Sequence, residues 1–91
     1  MLNKSNRSGK LVRQARQSKN MSQGKLGTML GLKTGATQYI SNIERGLCQF
    51  PPKKIYRVAV ILNITTEDLI NSVVEDYKEN LWKEVYKPLE A

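Results

Sequence analysis

Residues 21–31 and 38–46 constrain the fold more than any other part of the chain. In Met21-Ser-Gln-Gly-Lys-Leu-Gly-Thr-Met-Leu-Gly31 the apolar residues Leu26, Met29 and Leu30 recur at three- and four-residue spacing, which predicts a short helix with one inward face. Ser22 stands where an N-cap is needed, its hydroxyl accepting from the N–H groups that open the helix. Gly27 falls in the middle of that helix, where glycine costs about 1 kcal/mol against alanine. A backbone that approaches too closely to admit a side chain accounts for it. In Gln38-Tyr-Ile-Ser-Asn-Ile-Glu-Arg-Gly46 the residues Ile40 and Ile43 face inward and Thr37, Gln38, Ser41 and Asn42 face outward, with Gly46 as the residue that ends the helix. Two short helices at a tight angle, the second with a polar outer face, follow from these patterns.

The order Ser-Gln, Leu, small residue, Leu-Gly, then Ile40-Ser-Asn-Ile-Glu-Arg-Gly46, resembles the Cro/repressor-type (XRE-family) helix-turn-helix. The resemblance spans roughly residues 10–71 and implies an all-α, small five-helix, lambda-repressor-like domain. The chain departs from the family at Leu32-Lys-Thr-Gly-Ala-Thr37, about three residues more than the family's turn. A longer loop at Lys33-Thr34-Gly35 accommodates this and starts the second helix near Ala36.

The rest of the chain fits that frame. Residues 10–19 form a first helix with Leu11, Val12 and Ala15 on its apolar side. After Phe50-Pro51-Pro52 a fourth helix runs from Lys53 to Leu62 through Ile55, Val58 and Ala59. Thr65 or Thr66 caps a fifth helix whose first turn holds Glu67 and Asp68. From Leu69 onward Ile70, Val73, Val74, Tyr77, Leu81 and Val85 step by three and four, with Glu75, Asp76, Glu79 and Glu84 on the opposite face, as one helix or two joined near Ser72. Residues 1–9 read as a flexible basic arm, 10–71 as the helix-turn-helix domain, and 72–91 as an additional amphipathic helical extension. Two readings of that extension stay open: a dimerisation element through Tyr77, Leu81, Trp82 and Val85, or a segment that folds back on its own core.

Charge points to the partner. Residues 1–66 hold 12 Lys/Arg and one acid, whereas residues 67–91 hold 3 Lys and 7 acids, giving the net +7. A basic region that coincides with the motif attracts a polyanion, and double-stranded DNA is the partner expected. No apolar run approaches the roughly 18 residues of a spanning helix, and no membrane partner is expected. With Cys48 as the only cysteine and no histidine, neither a disulfide framework nor a His/Cys metal cluster is expected, in keeping with a cytoplasmic protein. No cofactor is implied, and no catalytic constellation stands out: Gly31-Leu-Lys-Thr-Gly35 is not a phosphate-binding Gly-x4-Gly-Lys-Ser/Thr loop.

The resemblance assigns roles residue by residue. Thr37, Gln38, Ser41 and Asn42, with Ala36 beside them, match positions that reach base edges in the major groove, and Gln and Asn suit adenine. Ser22 and Gln23 match a phosphate-holding pair. Lys33, Tyr39, Arg45, Lys53 and Lys54 surround the same helix and are expected at the phosphate backbone. Arg16 and Glu44 match a buried ion pair whose role is structural. The implied function is sequence-specific transcription regulation, as a repressor, by a homodimer on an inverted-repeat operator. The alternative is a protein-interaction module, such as a DNA-binding antitoxin or accessory subunit that holds a partner through its C-terminal helix.

Overall fold

The computed structural model describes residues 5–87, and within them the chain forms five helices and no strand: α1 Arg7–Ser18, α2 Gln23–Met29, α3 Ala36–Glu44, α4 Pro52–Leu62 and α5 Thr66–Val85. Each helix contributes to one core: Val12 of α1, Leu26 of α2, Ile40 and Ile43 of α3, Val58, Ala59 and Leu62 of α4, and Leu69 of α5. Leu30 and Phe50 close it from the connections on either side of α3. Pro52 opens α4 at a position where its missing N–H costs nothing, and Asn63 ends the helix in the left-handed region at φ 55°.

The pairing of α2 with α3 is set by Gly27. A Cβ there would lie 2.6 Å from Ala36 Cβ and 3.0 Å from both Ala36 Cα and the Ala36 carbonyl oxygen. Carbon atoms settle at about 3.5–4.0 Å, and backbone cannot rotate out of the way. The two helices must therefore separate if any side chain is added. Gly27→Ala is expected to lower the thermal midpoint by about 5–15 °C, because overpacking of about 1–3 kcal/mol outweighs the gain in helix propensity. A melt followed by circular dichroism checks this, and a midpoint that rises would show that the close approach is not tight.

Between α2 and α3 the chain makes the lengthened turn, with Gly31 at φ 89° and Gly35 at φ 66°. It leaves α3 starting at Ala36, where the sequence places it. At the other end Gly46, at φ 71°, closes α3: its N–H donates to the Ile43 carbonyl at 3.1 Å and the Leu47 N–H to the Asn42 carbonyl at 2.9 Å. That double bond is the Schellman stop, which glycine favours.

The start of the described chain departs from the sequence reading, and α5 takes one of each pair of alternatives the sequence left open. Helix α1 begins at Arg7 rather than Lys10 and residues 5–8 are fixed against α5, so residues 5–9 do not belong to the flexible arm expected over residues 1–9; residues 1–4 and 88–91 lie outside the described residues. Asn6, at the N-cap position, makes no capping bond of its own. The Asp76 carboxylate supplies the cap from α5 instead, accepting from the Arg7 N–H at 2.7 Å and the Ser8 N–H at 2.9 Å. Helix α5 is a single 20-residue helix with no break at Ser72. Leu69, Val73 and Asp76 face the body, and the rest of its apolar stripe faces out. Ile70, Val74, Tyr77, Leu81, Trp82 and Val85 are all exposed, while Asp76 is 8 % exposed. Of the two readings of this extension the fold-back onto its own core is not adopted, because a carboxylate on the inner face serves the unpaired N–H groups of α1.

Candidate nucleic-acid interface

Helix α3 is held from behind by the Arg16 guanidinium. Its Nε donates to Glu44 Oε2 at 2.7 Å and its Nη2 to Glu44 Oε1 at 3.1 Å, while Nη1 donates to the Met21 carbonyl at 2.7 Å. Both partners are buried. One side chain thus ties α1, the turn into α2 and the end of α3 together, through the planar fork that suits a carboxylate. Asn6 adds to this from the start of α1, donating from Nδ2 to the Glu44 carbonyl at 2.8 Å.

Gln23, which the sequence places at a phosphate, donates from Nε2 to Glu44 Oε1 at 3.1 Å. It serves the ion pair in this structure. Ser22 Oγ accepts from the Lys25 N–H at 3.0 Å and so caps α2. Ala36 is half-buried, its methyl directed at Gly27.

The outer face of α3 carries Thr37 and Gln38, both exposed, with Ser41 and Asn42 half-buried beside them. Gln38 Nε2 donates to Asn42 Oδ1 at 2.8 Å, which places the two amides side by side one turn apart. Gln38 Oε1 and Asn42 Nδ2, one acceptor and one donor, have no hydrogen-bond partner among the described residues. A groove runs between the starts of α2 and α3, lined by Ser22, Lys25, Thr28, Thr37 and Gln38. Gly24 keeps it open, since a Cβ there would come within 3.0 Å of Thr37 Oγ1. Lys25 and Gly24 were missed in the sequence, where a lysine and a glycine among polar neighbours give no signal of a shared groove.

The cations expected at phosphates lie in the turn before α3, directly after it and at the start of α4. Lys33 in the turn, Arg45 after α3 and Lys53 in α4 are exposed, and Lys54 is half-buried. Tyr39 is half-buried and packs against the core, where burial, and then the nearby Cys48, push its phenol up from the usual value. Acids lie elsewhere: apart from Glu44, every acid in the described residues belongs to α5.

A family model described as helix-turn-helix matches residues 12–69, well over half of the chain. The chain belongs to the helix-turn-helix family of Cro/XRE type. No curated protein and no solved structure matches it beyond that. The match covers α2, the turn and α3, and the basic side chains around them, and membership makes the protein a DNA-binding transcription regulator. No helix among the described residues is long and apolar enough to cross a membrane.

A second polar cluster joins α5 of this helix-turn-helix domain to residues 5–8. Asp76 accepts from the Ser8 hydroxyl at 2.6 Å and the Ser5 hydroxyl at 3.0 Å, in addition to its two backbone N–H donors. Burial works against its charge, but the hydroxyl of Ser8 and the N–H groups of Ser8 and Arg7 outweigh it and hold the carboxyl below the usual range. Asn80 brackets Ser5, accepting from its N–H and donating to its carbonyl at 3.2 Å. Arg7 pairs with Glu79 at 2.8 Å, and that bond holds the Glu79 carboxyl down to about 2. Both members of the pair are solvent-exposed, and such contacts add little stability.

Proposed function

We propose that the protein is a cytoplasmic repressor that reads an inverted-repeat operator as a homodimer, each subunit laying α3 in a major groove with the half-sites about 34 Å apart. The observation that carries this reading is the Gln38–Asn42 pair, bonded at 2.8 Å on the outer face of α3. Its free acceptor and free donor match the N6 amino group and N7 of adenine. Thr37 and Ser41 flank the pair and reach neighbouring bases. Ser22, Lys33, Tyr39, Arg45, Lys53 and Lys54 contact phosphates, and Gln23 does so with the half of its amide that Glu44 leaves free. These contacts position the domain and give it a salt-dependent affinity, while the α3 side chains supply the preference.

The exposed stripe of α5 supports the homodimer. Ile70, Val74, Tyr77 and Leu81 are spaced four, three and four residues apart, the register of a helix that pairs with another helix. Val85 continues the stripe, and Trp82, stacked on Tyr86 at 5.1 Å between ring centroids, widens it. One observation favours the second reading, a separate protein partner. Helix α5 carries six acids against two lysines, so two copies repel where a basic partner helix would attract.

Selection of bound fragments from a random DNA pool at about 150 mM salt tests the proposal, because purely electrostatic binding is weakened there. An inverted-repeat motif is the expected result. A single unrepeated motif would leave α3 as the reader and give α5 to another partner, and fragments without a shared motif would remove the reading of α3 itself.

A further inference from the structure

We infer that the cluster of Asp76 and Asn80 against residues 5–8 is a latch that fixes the angle between the pairing helix α5 and the reading helix α3, and so sets the half-site spacing the dimer accepts. The inference rests on the homodimer reading above. It starts from how little else holds α5. Of its 20 residues only Leu69 and Asp76 are buried, and Leu69 lies in the first turn. Beyond Val73, which packs on the core edge, every apolar side chain of the helix is exposed. The second half of α5 is therefore attached by polar contacts, and these converge on residues 5–8.

Those residues lead directly to α3. Asn6, between Ser5 and Arg7, donates to the Glu44 carbonyl, and Gly9 is pressed so closely on α3 that a Cβ would lie 2.6 Å from the carbonyl oxygens of both Ile43 and Glu44. The start of α1 is thus a rigid link with the latch on one side and the end of the recognition helix on the other. With the latch closed, α5 has two fixed points, Leu69 in the core and Asp76 on α1, and two points fix a direction. With it open, α5 turns about Leu69. In a dimer joined through α5, the offset between the two copies of α3 follows that direction, and operator spacing is the geometric readout.

The specificity of the site lies in the charge of Asp76. Its two oxygens accept from four donors: the Arg7 N–H and Ser5 hydroxyl on Oδ1, and the Ser8 N–H and hydroxyl on Oδ2. An amide in its place sets an NH2 group against N–H and O–H donors at one of these positions, and the latch opens. Asp76 is buried and all of its bonds go to residues 5–8, so it acts as a positioning residue.

The test measures binding of the full chain to the selected operator, to versions with the spacer lengthened stepwise to about half a helical turn, and to an isolated half-site. The wild-type chain is expected to lose at least about tenfold in affinity at the half-turn spacer, because both half-sites can no longer be engaged together. Asp76→Asn is expected to cut that loss to about threefold or less, with half-site affinity within about twofold of wild type. The half-site control separates the latch from a general loss of fold, which would weaken every probe alike. Should Asp76→Asn not fold, the Ser5→Ala/Ser8→Ala/Asn80→Ala variant removes both hydroxyl bonds to Asp76 and both Asn80 bonds, weakens the same latch and is expected to reduce the spacer dependence in the same direction. A variant that folds and retains the full spacer dependence overturns the inference while the homodimer stands. A wild-type chain indifferent to spacing overturns the homodimer reading and the latch with it.

Discussion

Arg16→Ala is expected to lower the thermal midpoint by about 15 °C or more and to leave a large unfolded fraction at 37 °C. The substitution removes both guanidinium bonds to Glu44 and the bond to the Met21 carbonyl, and it leaves the Glu44 carboxylate 4 % exposed with only Gln23 Nε2 as a side-chain donor. Breaking one side of a buried pair costs about 3–5 kcal/mol. A domain of this size holds about 5–15 kcal/mol in total, so the loss consumes a large part of it. Arg16→Lys is expected to fall between wild type and alanine, since it keeps the charge and loses the fork. Replacing both partners, Arg16→Leu with Glu44→Leu, is expected to recover most of the loss, because the uncompensated carboxylate has gone. Melts of the three variants decide it: a fall of less than about 5 °C for Arg16→Ala would show that the pair is not structural.

The helix-turn-helix could be read from the sequence because its determinants are local. Leu26, Leu30, Ile40 and Ile43 carry helical spacing, Ser22 caps the helix it precedes, and Gly27 marks a close approach that the structure places against Ala36. The ion pair was legible only through the family resemblance, since nothing local links residue 16 to residue 44. Gln23 shows the limit of that route: the resemblance assigns its amide to a phosphate, and in the fold that amide donates to Glu44 at 3.1 Å.

What the sequence hid is long-range and polar. The start of α1 was placed three residues late because its cap comes from Asp76, 69 positions away from Arg7, and no rule of local capping finds such an acceptor. The same carboxylate explains why the apolar stripe of α5 faces outward and does not fold back on the core. Periodicity says that a helix has two faces, and it does not say which face meets the body. Here the four donors of residues 5–8 claim Asp76, and the apolar contacts of Leu69 and Val73 share its face.

The double variant Gln38→Ala/Asn42→Ala is expected to remove most of the sequence preference while leaving the fold and the salt dependence of binding in place. Each base contact removed costs about 1–3 kcal/mol of discrimination, so the pair together carries about one to four orders of magnitude between operator and unrelated DNA. The salt slope stays where it is, because neither residue is charged and the phosphate contacts are untouched. Single variants add information that the double cannot. Gln38 Nε2 holds Asn42 Oδ1 at 2.8 Å, so removing Gln38 also releases the orientation of Asn42. Each single variant is therefore expected to cost more than half of the double, the sub-additivity that marks residues acting as a unit. Replacement of Lys53 and Lys54 is the contrast: all sequences weaken together, the salt slope falls by about one for each phosphate lost, and the preference survives. Affinities for operator and scrambled DNA at several salt concentrations separate the two patterns. An operator preference unchanged in the double alanine variant would refute α3 as the recognition helix, and the reading surface would then have to lie among residues that the helix-turn-helix geometry keeps away from the major groove.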